Sequence, residues 1–292
     1  MSIPYTQQSD GTRQKTPNRP PLPQSVDDDS LTTVASRHRS PLKFFLLVFA
    51  LSVPFWWVGA VTSLQLLPGL SVSALGAFCP LIAAVILVYR EDKTVGVTKL
   101  LKRSFDYKRI RAKVWYAPLI LLMPGVMALA YGLMHLMGFP LPTPQVPVLT
   151  VLVLFLAFFV GALGEELGWS GYVIDPMQAR WSALQASLLV GLVWAAWHVI
   201  PYMQAHRSVA WIGGAILFTV ATRVLMVWLY NNTGASVFGA ALFHAMLNVS
   251  WFVFPVYGSY LDPRISALVA VVAAAIVTVV WGPRTLARYR NA

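Results

Sequence analysis

Five polar side chains stand in segments otherwise fit for lipid. They are Glu165 and Glu166 in "GALGEELGWSGY", His198 in "WAAWH", and His244 with Asn248 in "HAMLN". An ionisable group inside a membrane-grade helix is costly unless it is paired or hydrated, so each is a functional candidate. A carboxylate near an imidazole can hold and deprotonate a water. A second imidazole and an amide N–H can stabilise the oxyanion that forms when that water attacks a carbonyl. The chemistry these groups suit is hydrolysis. No serine or cysteine stands beside a histidine in the sequence, which speaks against a covalent nucleophile.

Spacing refines the reading. Adjacent helix positions point about 100° apart, so Glu165 and Glu166 cannot share one role. If one faces a cavity, the other turns toward a neighbouring helix; alternatively the helix ends here and both acids meet interfacial water. Trp194 and His198 are four apart and share a helix face, as do His244 and Asn248. The second pair lies deep in an apolar run. It needs either interhelical hydrogen bonds or a wet pocket. A further charge, Arg223 in "TVATRVLMVWLY", sits inside another apolar run. It either snorkels to the headgroups or serves as a counter-ion. His135 and His206 read as interfacial residues.

The elements that must position these groups are membrane helices. The chain has 292 residues, 57% hydrophobic and 11% charged, with mean hydropathy +0.64. Apolar runs of about 20 residues recur along it, continuous rather than alternating, which argues for helices and against a β-barrel. The expected fold is all-α: a polytopic membrane bundle of about eight transmembrane helices, near 42–66, 69–89, 114–138, 147–171, 184–204, 209–230, 235–256 and 265–282. Residues 1–40, rich in Pro, Ser, Gln and Thr, are expected to form a disordered cytoplasmic tail with no signal peptide. Residues 41–292 form the membrane domain, with the motif core at 160–255.

The segment "REDKTVGVTKLLKRSFDYKRIRAK" (90–113) carries nine Lys/Arg against three acids, and "GFPLPTPQVP" after the third run carries no charge. The positive-inside rule places the former in the cytoplasm, with both termini, at the cell membrane. The net charge of +11 therefore reads as topology signal and lipid contact, not nucleic-acid binding. Cys79 stands in an apolar run as the one cysteine, so no intramolecular disulfide can form.

Three motifs in order, "EELGWS" (165–170), "WAAWH" (194–198) and "HAMLN" (244–248), resemble the signature of the CAAX-protease and bacteriocin-processing (CPBP) family of intramembrane endopeptidases. That signature is Glu-Glu-x-x-x-Arg, Phe-x-x-x-His and His-x-x-x-Asn or Asp on successive spans. The resemblance implies that Glu165 is the general base for water and that His198 helps hold that water. It implies that His244 and Asn248 stabilise the oxyanion, and that Glu166 touches water or supports the site. It also implies a membrane-associated peptide or protein substrate. No cofactor is certain; two Glu and two His could ligate zinc, but there is no His-Glu-x-x-His motif. Two positions depart from the pattern. Trp194 replaces Phe, and Ser170 replaces the Arg that would lie one turn after Glu166. Arg223 is the candidate replacement cation, paired with Glu166. The competing expectation is an impaired relative acting as a membrane binding or scaffold protein; a proton-coupled transporter is a third.

Overall fold

The structure is a computed structural model that describes residues 1, 39–62, 64–67, 70–258 and 260–287. The expected tail, apart from its ends, lies outside the described residues, as do Arg37, Arg288 and Arg290. Nine α-helices are assigned among the described residues. They are α1 (Pro41–Val61), α2 (Cys79–Lys102), α3 (Tyr116–Leu136), α4 (Val148–Gly168), α5 (Ile174–Gln178), α6 (Ala183–Gln204), α7 (Val209–Asn232), α8 (Val237–Val253) and α9 (Pro263–Trp281). Seven helical segments are long and apolar enough to cross a membrane, and α8, with 17 residues, is a shorter apolar helix. The all-α membrane bundle stands.

Three boundaries differ from expectation. Span two does not begin at 69: a short hairpin, β1 (Gln65–Leu67) with β2 (Leu70–Ser71), and a 3₁₀ segment (Val72–Phe78) precede α2. Pro80 lacks an N–H and is favoured in the first turn of a helix, and α2 starts beside it. The basic segment 90–113 is not a loop throughout. α2 continues through it to Lys102, and a 3₁₀ segment (Arg103–Arg109) follows. Span four does not stop at 171. A π-turn (Trp169–Val173) carries it into α5 and on to Gln178.

Packing is graded from lipid to centre. Of the most apolar 18 residues of α1, 17% are buried, against 72% for α7. α7 packs along α6 and α9. Gly191 of α6 permits this: a Cβ there would lie 3.2 Å from the Val220 Cα and 3.1 Å from the Arg223 Cβ. Likewise a Cβ on Gly168 would lie 2.6 Å from the Pro80 carbonyl oxygen, so only glycine lets α4 approach α2.

One end of the bundle gathers the basic segment, the close of α7, the start of α8 and the last described residues. The Asn231 and Asn232 amides donate to the Thr285 and Leu286 carbonyls, and Arg180 donates to the Arg39 carbonyl. The described parts of the two chain ends therefore meet at this basic end. At the opposite end the uncharged segment meets α8, where the Gln145 N–H donates to the Pro255 carbonyl.

Candidate active site

Depth decides whether Glu165 and the residues of α6 can meet. With span four ending at 171, Glu165 and His198 would miss by about 10 Å. Its continuation to Gln178 removes the mismatch. Glu165 then lies about 20 Å before the turn into α6, and Trp194 about 18 Å after it. The two residues face each other at one level. The Trp194 Nε1–H donates to Glu165 Oε2 at 2.8 Å.

Both acids are buried: Glu165 is 7% exposed and Glu166 0%. They therefore do not sit in interfacial water. They diverge as adjacent helix positions must. Glu166 turns to α7 and α8, where Arg223 binds it with both terminal nitrogens, Nη1 to Oε2 at 2.9 Å and Nη2 to Oε1 at 3.1 Å. Arg223 is itself fully buried. It stacks on the Trp194 indole, 4.2 Å from the ring centroid, and its Nη1 also contacts the Met226 sulfur. This fork is the strong form of an ion pair, two parallel charge-assisted bonds. A cation 57 residues along the chain thus occupies the place that an Arg at 170 would fill. The serine there does more than expected: one turn after Glu166, the Ser170 hydroxyl donates to Glu166 Oε2. Serine supplies no charge, but it satisfies a lone pair that burial would otherwise leave unmet.

His244 bridges the two acids. Its Nδ1 lies 3.0 Å from Glu166 Oε1, and its Nε2 lies 4.0 Å from Glu165 Oε1. A carboxylate that holds an arginine accepts only, so the proton between His244 and Glu166 sits on Nδ1. Nε2 is the ring atom turned toward Glu165. The gap of 4.0 Å is too long for a hydrogen bond and of a width that one water can bridge.

His198 lies one turn beyond Trp194 on the same face, within electrostatic reach of Glu165 and His244. Its Nδ1 sits 2.8 Å from the Trp194 carbonyl oxygen. A carbonyl only accepts, so Nδ1 carries the proton and Nε2 of the neutral ring keeps a free lone pair. The indole of Trp194 stands edge-on between the two imidazoles, its centroid 5.4 Å from His198 and 5.2 Å from His244. Tyr202 stacks on the far side of His198. Asn248, one turn past His244, is half-buried, and its amide makes no hydrogen bond among the described residues.

Among the described residues no three His, Cys, Asp or Glu side chains converge on one ion. Both Glu166 oxygens are already taken by Arg223, with Ser170 and His244 added.

This geometry falls within a segment that has known relatives. Residues 147–250 match the family described as type II CAAX prenyl endopeptidase, Rce1-like. Over this segment the chain is similar to CAAX-type membrane endopeptidases. Over 248 residues it is 28% identical to CAAX prenyl protease 2 of Methanococcus maripaludis, across 74% of this chain and 86% of that protein. The family match runs from the start of α4 into α8 and contains every motif residue from Glu165 to Asn248. Within this CAAX-type frame, one part of the site escaped sequence reasoning. Trp194 looked like a mild aromatic swap for Phe, yet only tryptophan brings an N–H to Glu165. The signal was present: Trp is the apolar aromatic that carries a donor.

Proposed function

We propose that the chain hydrolyses a peptide bond of a membrane-attached peptide or protein with a water activated by Glu165 and His198. The observation that carries this reading is the 4.0 Å gap between Glu165 Oε1 and His244 Nε2. It is lined by an acid whose other oxygen is fixed by Trp194.

Each step falls to a group with a fixed bonding role. A water held by Glu165 Oε1 and His198 Nε2 gives a proton to Glu165. Its oxygen bonds to the substrate carbonyl carbon, and the carbonyl electron pair moves to oxygen. His244 Nε2–H and the Asn248 amide donate to that oxyanion. On collapse the C=O bond re-forms, the C–N bond breaks, and Glu165 returns the proton to the leaving amine. For Nε2 to donate while Nδ1–H is bonded to Glu166, His244 holds both ring protons. The steps use the protein's own groups.

The non-catalytic alternative was motivated by the motif arginine missing at position 170; the Arg223–Glu166 pair answers that motive. The names of the matched family and relative support a prenylated peptide ending in a CAAX sequence as the substrate class. We place the enzyme in the cell membrane with its basic end in the cytoplasm, where a lipid-anchored peptide can reach the site.

The test uses purified protein in lipid nanodiscs with a farnesylated CAAX peptide and its unprenylated twin. Wild type cleaves the farnesylated peptide preferentially. Glu165→Gln and His198→Ala each lower turnover by about 100-fold or more, and EDTA leaves the rate unchanged. Equal turnover by wild type and both variants removes the enzymatic reading. Loss of activity in EDTA with recovery on zinc overturns the metal-free mechanism.

A further inference from the structure

The buried quartet of Glu165, Glu166, Arg223 and His244 comes from three helices, α4, α7 and α8. Interlocked apolar packing sets the coarse register of these helices, and hydrogen bonds to a shared group add a directional constraint. A 1 Å slide would open the bonds that hold His244. The basic end of the bundle contains a device that fixes it.

The 3₁₀ segment Arg103–Arg109 packs against α8 and α4 at this end. From it, Arg103 reaches inward with one guanidinium. Nη1 donates to the Gly171 carbonyl at 2.9 Å, inside the π-turn that follows the two acids. Nη2 donates to the Tyr230 hydroxyl at 2.7 Å, near the end of the helix that carries Arg223. The same nitrogen donates to the Ala235 carbonyl at 2.8 Å, just before the helix that carries His244. One rigid, planar group therefore touches the three elements that supply the quartet. Asp106 of the same segment closes the start of α8. It accepts from the Ser236 hydroxyl at 2.7 Å and from the Val237 and Phe238 N–H groups at 3.2 and 3.0 Å. The π-turn is where such a grip matters. Its widened ring disturbs the regular helix ladder, and Ser170 inside it is the residue that donates to Glu166.

We propose that Arg103, with Asp106, is a positioning clamp: the strap 103–109 sets the relative register of α4, α7 and α8 and thereby the bonding of His244. The proposal rests on the endopeptidase reading for its effect on rate, but not for its effect on His244. Of the strap's other cations, Arg109 donates to the Gly234 carbonyl at 3.0 Å, before α8 alone. Lys108 is exposed on the same segment.

The experiment reads two quantities in nanodiscs: cleavage of the farnesylated peptide, and the downfield imidazole N–H resonance of His244 in ¹⁵N-histidine-labelled protein. That resonance is assigned by its loss in His244→Gln. Arg103→Met lowers kcat on the order of 10- to 100-fold with KM within about twofold, and the resonance shifts or broadens. Arg103→Lys restores part of both, since an ammonium keeps the charge but lacks the planar spread of the guanidinium fork. Tyr230→Phe, which removes one hydroxyl and keeps the ring, moves both in the same direction by less, and decides the matter if Arg103→Met does not fold. Lys108→Met removes the same charge and changes neither. An unmoved resonance and unchanged kcat in Arg103→Met or, if that variant does not fold, in Tyr230→Phe overturn the clamp. Equal losses in Lys108→Met also overturn it, by assigning the effect to charge alone. If wild type cleaves no peptide, the endopeptidase reading falls and the resonance by itself decides the clamp.

Discussion

Glu166 and Arg223 are wholly buried and bonded through a fork, a serine and an imidazole, whereas His198 and Asn248 are half-buried and Asn248 has no partner among the described residues. The site thus has a sealed half and an open half, and His244 and Glu165 stand at the seam. The sealed half satisfies nearly every polar atom because, without water, an unmet charge costs several kcal/mol. The open half leaves an amide and an imidazole lone pair unspent, which is what a substrate carbonyl and a water require. Stability and catalysis are therefore expected to separate between the two halves.

The largest effect should come from breaking the sealed half. Arg223→Met leaves Glu166 buried without its cation and costs about 3–5 kcal/mol, read as a lowered thermal midpoint in detergent. The double change Glu166→Gln with Arg223→Met should lose clearly less than the sum of the two single changes, because contacting charges are not additive. Additive losses would mean the fork is not an energetic unit.

In the open half the ranking inverts. Asn248→Ala should lower kcat by about 10²–10³-fold, the size expected for one lost oxyanion donor. Its thermal midpoint should stay near wild type, since the amide bonds nothing at rest. A comparable fall in the midpoint would make Asn248 a structural residue and erase the contrast.

Trp194 sharpens the seam. Trp194→Phe keeps an aromatic ring beside Arg223 but removes the donor to Glu165. Turnover should fall about tenfold, with a modest stability loss of about 1 kcal/mol for the hydrogen bond. No change in turnover would show that Glu165 needs no fixing.

The smallest effect lies outside both halves. Asp262 caps α9, accepting from the Arg264 N–H at 2.8 Å, and the hydrogen bonds from the Arg264 side chain hold its carboxyl below the usual range. A lowered folded-state value means that the contribution is present at neutral pH and is lost as pH falls through that value. Asp262→Ala should cost about 1 kcal/mol at neutral pH and nothing measurable in acid, with turnover unchanged. A cost independent of pH would assign it to the cap alone.

Much of this was legible residue by residue. Glu165, His198, His244 and Asn248 announce themselves because a polar atom in an apolar run is costly, and that cost is local. The eight apolar segments are visible for the same reason. The start of α2 was misplaced because hydropathy does not register a hairpin made of Gln, Leu and Ser, although Pro80 marks the true first turn. The end of the fourth span was misplaced because a π-turn has no signature in a window average. Ser170 was read as a missing charge, and its hydrogen bond to Glu166 was not foreseen.

The sequence by itself determined the class of the molecule and its short roster of polar exceptions, since hydropathy and the 3.6-residue period are properties of neighbours along the chain. It also placed one surplus cation, Arg223, in the same half as one missing one. Only the tertiary structure decided that Arg223 reaches Glu166, that Trp194 meets Glu165 at one depth, and which partner each imidazole Nδ1 faces. Those outcomes depend on distances between residues far apart in the chain, and such distances are set by how deeply helices interlock, which no local pattern encodes.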